Sequence, residues 1–284
     1  MPLRDNGPKN GGPAWPRGRY RGGVSDAAAL AARDLSAGYD GRIVLAGIDL
    51  ELHAGELVAV LGANGTGKST LLRALAGTLG LLAGTVLVQG QPLGGLSRRE
   101  VAQRVGVVPQ ESEVAFGFTV REVVAMGRAP HQSGLMLTAP RDEALIAKAL
   151  DACDLGELAA RRVSDLSGGE RRRVTIARAL AQDTAILLLD EPAAFLDVRH
   201  ALTLFEIVRR EISERNLACL AVVHDLSQAA RFADRVVLLA DGKIAAQGSI
   251  EEAMTANVLQ RVFGVPVRVG RDESTGLQYF LPGA

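Results

Sequence analysis

The sequence predicts an α/β fold: a mixed, mainly parallel sheet carrying an antiparallel β subdomain and an inserted α-helical subdomain. Three observations predict it. First, "LVAVL" (57–61) is a wholly apolar run that ends at a glycine-rich turn and is followed by a helical pattern, "STLLRALAG". Strand, glycine turn and helix in succession open a parallel unit. Second, the runs "AILLLD" (185–190) and "LACLAVVHD" (217–225) flank a stretch with Ala201, Leu204, Phe205, Val208 and Ile212 on one helical stripe. Third, residues 111 to about 163 contain helical spacing and no strand pattern.

The elements follow in order. Residues 1–26 read as a flexible tail. The first 23 residues hold six Gly and four Pro without an apolar block, and no secretory signal is expected there. From 30 to 62, apolar and polar residues alternate between Gly/Asp turns, as antiparallel strands leading into the buried strand do. "RVGVVPQ" (104–110) reads as a further strand end. In the insertion, "TVREVVAMGR" contributes Met and Val to a core, and a second helix aligns Leu145, Ala149 and Cys153. "RVVLLADGKIAAQG" is a hairpin turning at Asp241-Gly242. "EEAMTANVLQRVFG" is helical, and residues 266–284 form a small C-terminal extension, a hairpin around "ESTG".

Composition narrows the function classes. The 284 residues are 48% apolar, enough for a sizeable core. Lys and Arg total 32 and Asp and Glu total 32, so no global field draws nucleic acid or an anionic membrane. Arg171, Arg172 and Arg173 point to three sides of a helix, which reads as solvated or partner-facing surface. Cys153 and Cys219 sit in apolar periodic stretches and read as buried thiols. No apolar run approaches the roughly 18 residues that span a bilayer.

"GANGTGKST" (62–70) carries the first chemistry. Gly62, Asn64, Gly65, Thr66 and Gly67 form a turn whose backbone N–H groups can wrap phosphate oxygens, and the following helix adds its positive end. Lys68 reaches the β- and γ-phosphates of a nucleotide, and Ser69, followed by Thr70, offers a hydroxyl to Mg²⁺. This is the P-loop of an NTPase core. Asp190 ends an apolar strand, as a metal carboxylate does, and Glu191 follows at the edge where it can polarise water as general base.

A second glycine pair, in "LSGGERRRV", needs its own account. Ser167 and Glu170 satisfy a capping box. Gly168 and Gly169 are not explained by it, because glycine in a helix costs up to about 1 kcal/mol relative to alanine. Bare N–H groups at a helix start suit a large anion, so the pair reads as a second, lysine-free phosphate contact.

With these motifs in place the chain resembles the ABC ATPases over nearly all of residues 30–265. The resemblance implies an ATPase domain at 27–265, with its helical subdomain at about 111–163. It implies that Tyr39 stacks on adenine, that Gln110 touches the metal, and that His224 senses the γ-phosphate as a second catalytic residue beside Glu191. It puts Asp197 of "FLD" in the D-loop and makes Ser69, Gln110 and Asp190 the Mg²⁺ set. It also implies a head-to-tail dimer in which Ser167, Gly168, Gly169 and Glu170 cover the ATP of a second copy. Two departures stand out: Glu170 replaces the usual glutamine, and "AFLD" replaces Ser-Ala-Leu-Asp. "VREVVAMGRAPH", "QAARFADRVVLL" and "VFGVPVRV" resemble the importer ATPases that handle iron-siderophore chelates, haem or cobalamin. That likeness implies two transmembrane permease subunits touching residues 111–163 near Met126-Gly127-Arg128, a periplasmic binding protein, and a peripheral location at the cytoplasmic face of the inner membrane. The alternative, a soluble ABC ATPase acting on nucleic acid or the ribosome, calls for a long coiled coil or two ATPase halves. A nucleotide kinase would leave "LSGGE" without a role.

Overall fold

A computed structural model describes residues 28–110, 117–132 and 139–283. The expected tail, 1–26, lies outside the described residues, as do 111–116 and 133–138 of the expected insertion.

The described chain begins with β1 (Leu30–Tyr39) and β2 (Arg42–Leu52), paired antiparallel. β3 (Leu57–Gly62) follows and runs into α1 (Lys68–Leu75). β4 (Leu81–Val88) pairs on β1, and β5 (Gln91–Pro92) on β4, completing a four-stranded antiparallel sheet. Next come α2 (Arg98–Ala102), β6 (Val105–Val108), α3 (Val120–Ala125), α4 (Pro140–Ala152) and α5 (Gly168–Ala181). β7 (Ile186–Asp190), α6 (Val198–Arg215), β8 (Ala218–Val222), α7 (Leu226–Phe232), β9 (Arg235–Ala240) and β10 (Lys243–Gly248) continue the alternation. α8 (Ile250–Ala253), α9 (Ala256–Phe263) and the hairpin of β11 (Val267–Arg271) and β12 (Gln278–Pro282) close it.

The central sheet has the order β10-β9-β3-β8-β7-β6, and only β10 runs antiparallel. Both of its faces are covered, which is why its strands read as unbroken apolar runs. Leu57, Ala59 and Leu61 of β3 pack into one core with Leu187 and Leu189 of β7, against α3, α4, α5 and α6. Val58 and Val60, with Ile186 and Leu188, pack into the other, under α1 and the antiparallel sheet. The period of two places each strand in both cores. The β9–β10 turn has φ 48° at Asp241 and 72° at Gly242, the left-handed pair that a two-residue hairpin loop demands. Cys153 and Cys219 are fully buried, and that burial pushes both thiols well above their usual pKa.

Three expectations for the inserted helices need correction. Met126 is exposed rather than core, because the stripe of Val120, Val123 and Val124 continues to Gly127. Gly127 packs so closely on α5 that a Cβ there would lie 2.1 Å from the Arg178 carbonyl oxygen. Arg128 is buried rather than presented to a partner. Its Nε donates to Asp142 at 2.8 Å and its Nη1 to the carbonyls of Ala181 and Gln182. On α4 the buried stripe is Ile146, Ala149 and Leu150, leaving Leu145 half-buried.

Candidate nucleotide-binding site

The glycine-rich turn connects the C-terminal end of β3 to the start of α1, the edge where ligands collect in parallel sheets. Gly67 caps α1 at φ 98°, and a Cβ on it would lie 2.7 Å from Leu45 Cδ2. A Cβ on Gly62 would meet the Leu239 carbonyl oxygen at 2.5 Å. Only glycine fits either position. No side chain caps α1, so its first N–H groups face outward. Lys68 is buried and folded back, donating from Nζ to the carbonyls of Gly62 and Ala63, each at 2.9 Å. Burial lowers its pKa, and Glu191 and Asp190 partly restore it. Thr66 closes the turn by donating from Oγ1 to Ala63 O at 2.9 Å.

A cleft of about 670 Å³ opens above this turn, lined among others by Asn64, Gly65, Lys68, Gln110, Glu191 and His224. Gly67, Ser69 and Thr70 complete its floor. Asp190 ends β7 beneath it, with Ser69 Oγ donating to Oδ1 at 3.3 Å. Glu191 takes two bonds, from Gln110 Nε2 to Oε2 at 2.8 Å and between His224 Nε2 and Oε1 at 2.5 Å. Residues 81 and 33 positions away in sequence thus meet on one carboxylate. The Gln110 amide donates to Glu191, which leaves its oxygen free to accept. Ser69, Gln110 and Asp190 therefore offer a hydroxyl, an amide oxygen and a carboxylate, a hard oxygen set that suits Mg²⁺. Tyr39 is 40% exposed and does not line the cleft; its hydroxyl accepts from Arg73 Nη1 at 3.2 Å.

Ser167 caps α5 as expected from its spacing: Glu170 N donates to Ser167 Oγ at 3.3 Å and Ser167 N to Glu170 Oε2 at 2.7 Å. The two glycines differ. Gly168 faces open space. A Cβ on Gly169 would sit 2.6 Å from Cδ2 of His200, so an intrachain contact already requires glycine there. None of Ser167 to Glu170 lines the cleft.

The "ABC transporter" family model matches residues 45–194, more than half of the chain. The chain belongs to the ABC transporter family. It is 45% identical to the hemin import ATP-binding protein of Streptomyces coelicolor, over 85% of each chain. It is 38% identical to the ferric enterobactin transport ATP-binding protein of Escherichia coli, over 90% of this chain and 94% of that one. It is 43% identical to the cobalamin import ATP-binding protein of Halobacterium salinarum over 85% of this chain, but spans only 60% of that longer relative. Among solved structures, an inward-facing metal-chelate type ABC transporter superposes with a TM-score of 0.79 at 28% identity, over 90% of this chain and 98% of that one. The dimeric ATP-binding cassette MJ0796 bound to ADP and Pi superposes at 0.69 with 25% identity, over 78% and 98%.

The loop after β7 presents two apolar side chains and a capping carboxylate. Phe195 is 96% exposed at φ 63°, and Val198 beside it is also exposed. Asp197 caps α6, accepting from His200 N at 2.9 Å and pairing with His200 Nδ1 at 2.8 Å. Arg172, too, departs from the expectation of a solvated or partner-facing surface. It is buried, not solvated, and its guanidinium contacts main-chain carbonyls on both sides of the site. Arg173 is half-buried and donates to Cys153 O; only Arg171 is exposed.

Burial holds the Asp190 carboxyl above its usual pKa; Ser69 opposes that shift and Glu191 adds to it. A folded-state pKa raised in this way contributes stability below the ordinary carboxylate range, and the contribution is lost as pH rises through the raised value. At neutral pH the ionised group is therefore a cost. Asp190→Asn keeps an acceptor for Ser69 and is expected to raise the nucleotide-free melting temperature at pH 7.5. The gain should shrink toward pH 5 in a fluorimetric melting series. A gain that grows on acidification would count against the burial penalty.

Proposed function

We propose that the chain is the ATP-hydrolysing subunit of an importer for an iron chelate, haem or cobalamin, working as a head-to-tail dimer with a separate two-subunit permease. Its place would be peripheral, at the cytoplasmic face of the cell membrane, with a periplasmic binding protein delivering cargo. The observation that carries the ATPase reading is the Glu191 carboxylate, held by Gln110 and His224 above the Lys68 turn. The cargo class rests on the relatives' names. We assign residues 27–265 to the ATPase domain, about 111–163 to its helical subdomain and 266–284 to an extension.

The chemistry follows from the groups present. The turn's N–H groups and Lys68 hold the triphosphate, and Tyr39 takes the adenine face. Mg²⁺ on Ser69, Gln110 and Asp190 would offset phosphate charge. Glu191 accepts a proton from water as the water oxygen bonds to the γ-phosphorus, and the bond to the bridging oxygen breaks with its electron pair leaving on ADP. Both Glu191 oxygens are engaged in this structure. Each oxygen keeps a lone pair that can accept from the attacking water, and closure on a second copy, whose Ser167 to Glu170 cover the nucleotide, would favour the ATP-bound pair. His224, exposed in the cleft lining, would sense the γ-phosphate.

Lys68→Ala removes the one ammonium that lines the cleft among the described residues and is expected to weaken ATP binding at least about tenfold, the loss of one charge-assisted bond of roughly 1.5–3 kcal/mol. Nucleotide titration measures this. Cells lacking the gene should lose uptake of one of ferric siderophore, haem or cobalamin, restored by the wild-type chain and not by the variant. Normal uptake of all three would remove the importer reading and leave the ATPase reading standing.

A further inference from the structure

Arg172 lies on α5, in the turn that follows the Ser167 cap, and is 8% exposed. All of its donors are spent on main-chain oxygens. Nε donates to Pro192 O at 2.6 Å, Nη1 to Pro109 O at 2.9 Å and Gln110 O at 3.0 Å, and Nη2 to Asp190 O at 3.2 Å and Glu191 O at 2.8 Å. It forms no ion pair with a carboxylate among the described residues. Burying a cation is expensive: burial lowers the Arg172 pKa, and the nearby Asp190 and Glu191 carboxylates offset this only in part.

What it grips gives the reason. Gln110 and Glu191 are two of the three residues whose side chains meet in the cleft, with His224 the third, and Arg172 holds the backbone of both. Glu191 sits at φ 46°, a left-handed conformation that costs a non-glycine residue on the order of 1 kcal/mol or more. Its N–H is anchored on Val222 O at 3.1 Å, and its carbonyl on Arg172. The strained residue is therefore pinned at both peptide groups, one pin coming from the helix that carries Ser167 to Gly169.

We propose that Arg172 is a positioning residue for hydrolysis: it fixes Glu191 against Gln110 and ties both to the start of α5, so that the base is aligned only when that helix is in place. This rests on the reading of Glu191 as the base. Removing the fork leaves the Glu191 carbonyl with one donor, Ala194 N at 3.1 Å, and loosens the link to α5; misplacement of a reacting group by about 1 Å can cost on the order of a hundredfold in rate.

The test is steady-state phosphate release by Arg172→Met and Arg172→Lys, alone and combined with Glu191→Gln. Arg172→Met is expected to lower kcat about tenfold or more, with the KM for ATP within about twofold, since nothing in the Lys68 turn contacts it. Lysine has three donors and no fork, so Arg172→Lys should fall between. If Arg172 acts through Glu191, Arg172→Met/Glu191→Gln should turn over no more slowly than Glu191→Gln alone. Wild-type kcat in the single variants overturns the proposal. So does an equal fold-loss in both backgrounds, or a loss of ATP binding that tracks the loss of rate. Should Arg172→Met fail to fold, Arg172→Lys carries the same comparison, and wild-type kcat there is equally fatal. Undiminished turnover by Glu191→Gln itself would instead remove the base assignment beneath the proposal.

Discussion

Glu191→Gln is expected to bind ATP within a few-fold of the wild-type affinity and to turn it over at least about a hundredfold more slowly. The size follows from the role: a positioned general base contributes typically 10²–10⁴ in rate. Binding should survive because the phosphate cradle is the turn from Gly62 to Lys68, which Glu191 does not build. The neighbours also tolerate the change. Gln110 Nε2 can donate to an amide oxygen as it now does to Oε2, and His224 can accept from an amide nitrogen through the other tautomer. With hydrolysis blocked, a nucleotide that favours the closed pair should accumulate it. Light scattering with ATP and Mg²⁺ should then report a stable dimer that the wild type shows only transiently. Turnover within threefold of wild type would take the base role away from Glu191, however the rest of the site behaves.

The parts of this site legible in the sequence are those written in one local segment. The cradle is nine consecutive residues, and its glycines declare themselves because the turn's own backbone requires positive φ at Gly62, Gly65 and Gly67, 155°, 80° and 98°. The central strands were legible because burial on both faces leaves no polar beat to blur them. The capping box at Ser167 is fixed by a spacing of three. Illegible were contacts made to main chain across long separations. Arg172 reaches carbonyls 62 and 63 residues before it and 18 to 20 after it, and a carbonyl has no letter in the sequence. The same blindness misassigned Arg128, whose partners are Asp142 and two carbonyls of α5's C-terminal end. Gly169 was half-explained. The helix start was correctly located, but the ring that forbids a side chain there belongs to His200, on another helix. Gly168 faces open space, and its lack of a side chain finds no reason among the described residues.

That open glycine sets up the second large effect. On the proposed head-to-tail pairing, Lys68→Ala damages the P-loop and leaves the signature, Ser167 to Glu170, intact; Ser167→Arg does the reverse, placing a bulky cation at the helix cap. Each variant alone is expected to lose at least about a hundredfold in ATPase rate, because every site in its own dimer contains one broken half. When the two are mixed, a heterodimer pairs the sound P-loop of the Ser167→Arg chain with the sound signature of the Lys68→Ala chain. Random pairing at equal amounts makes half the dimers mixed, each with one sound site of two, so recovery should peak at about a quarter of the wild-type sites. Activity should follow the product of the two chain fractions and vanish at either end of the mixing series. A site completed within one chain predicts instead that no ratio helps, since neither polypeptide owns both halves in working order. The structure makes the experiment discriminating. Ser167 lies outside the cleft of its own chain, so its replacement cannot injure the Lys68 turn directly, and rescue can come only from the opposing copy.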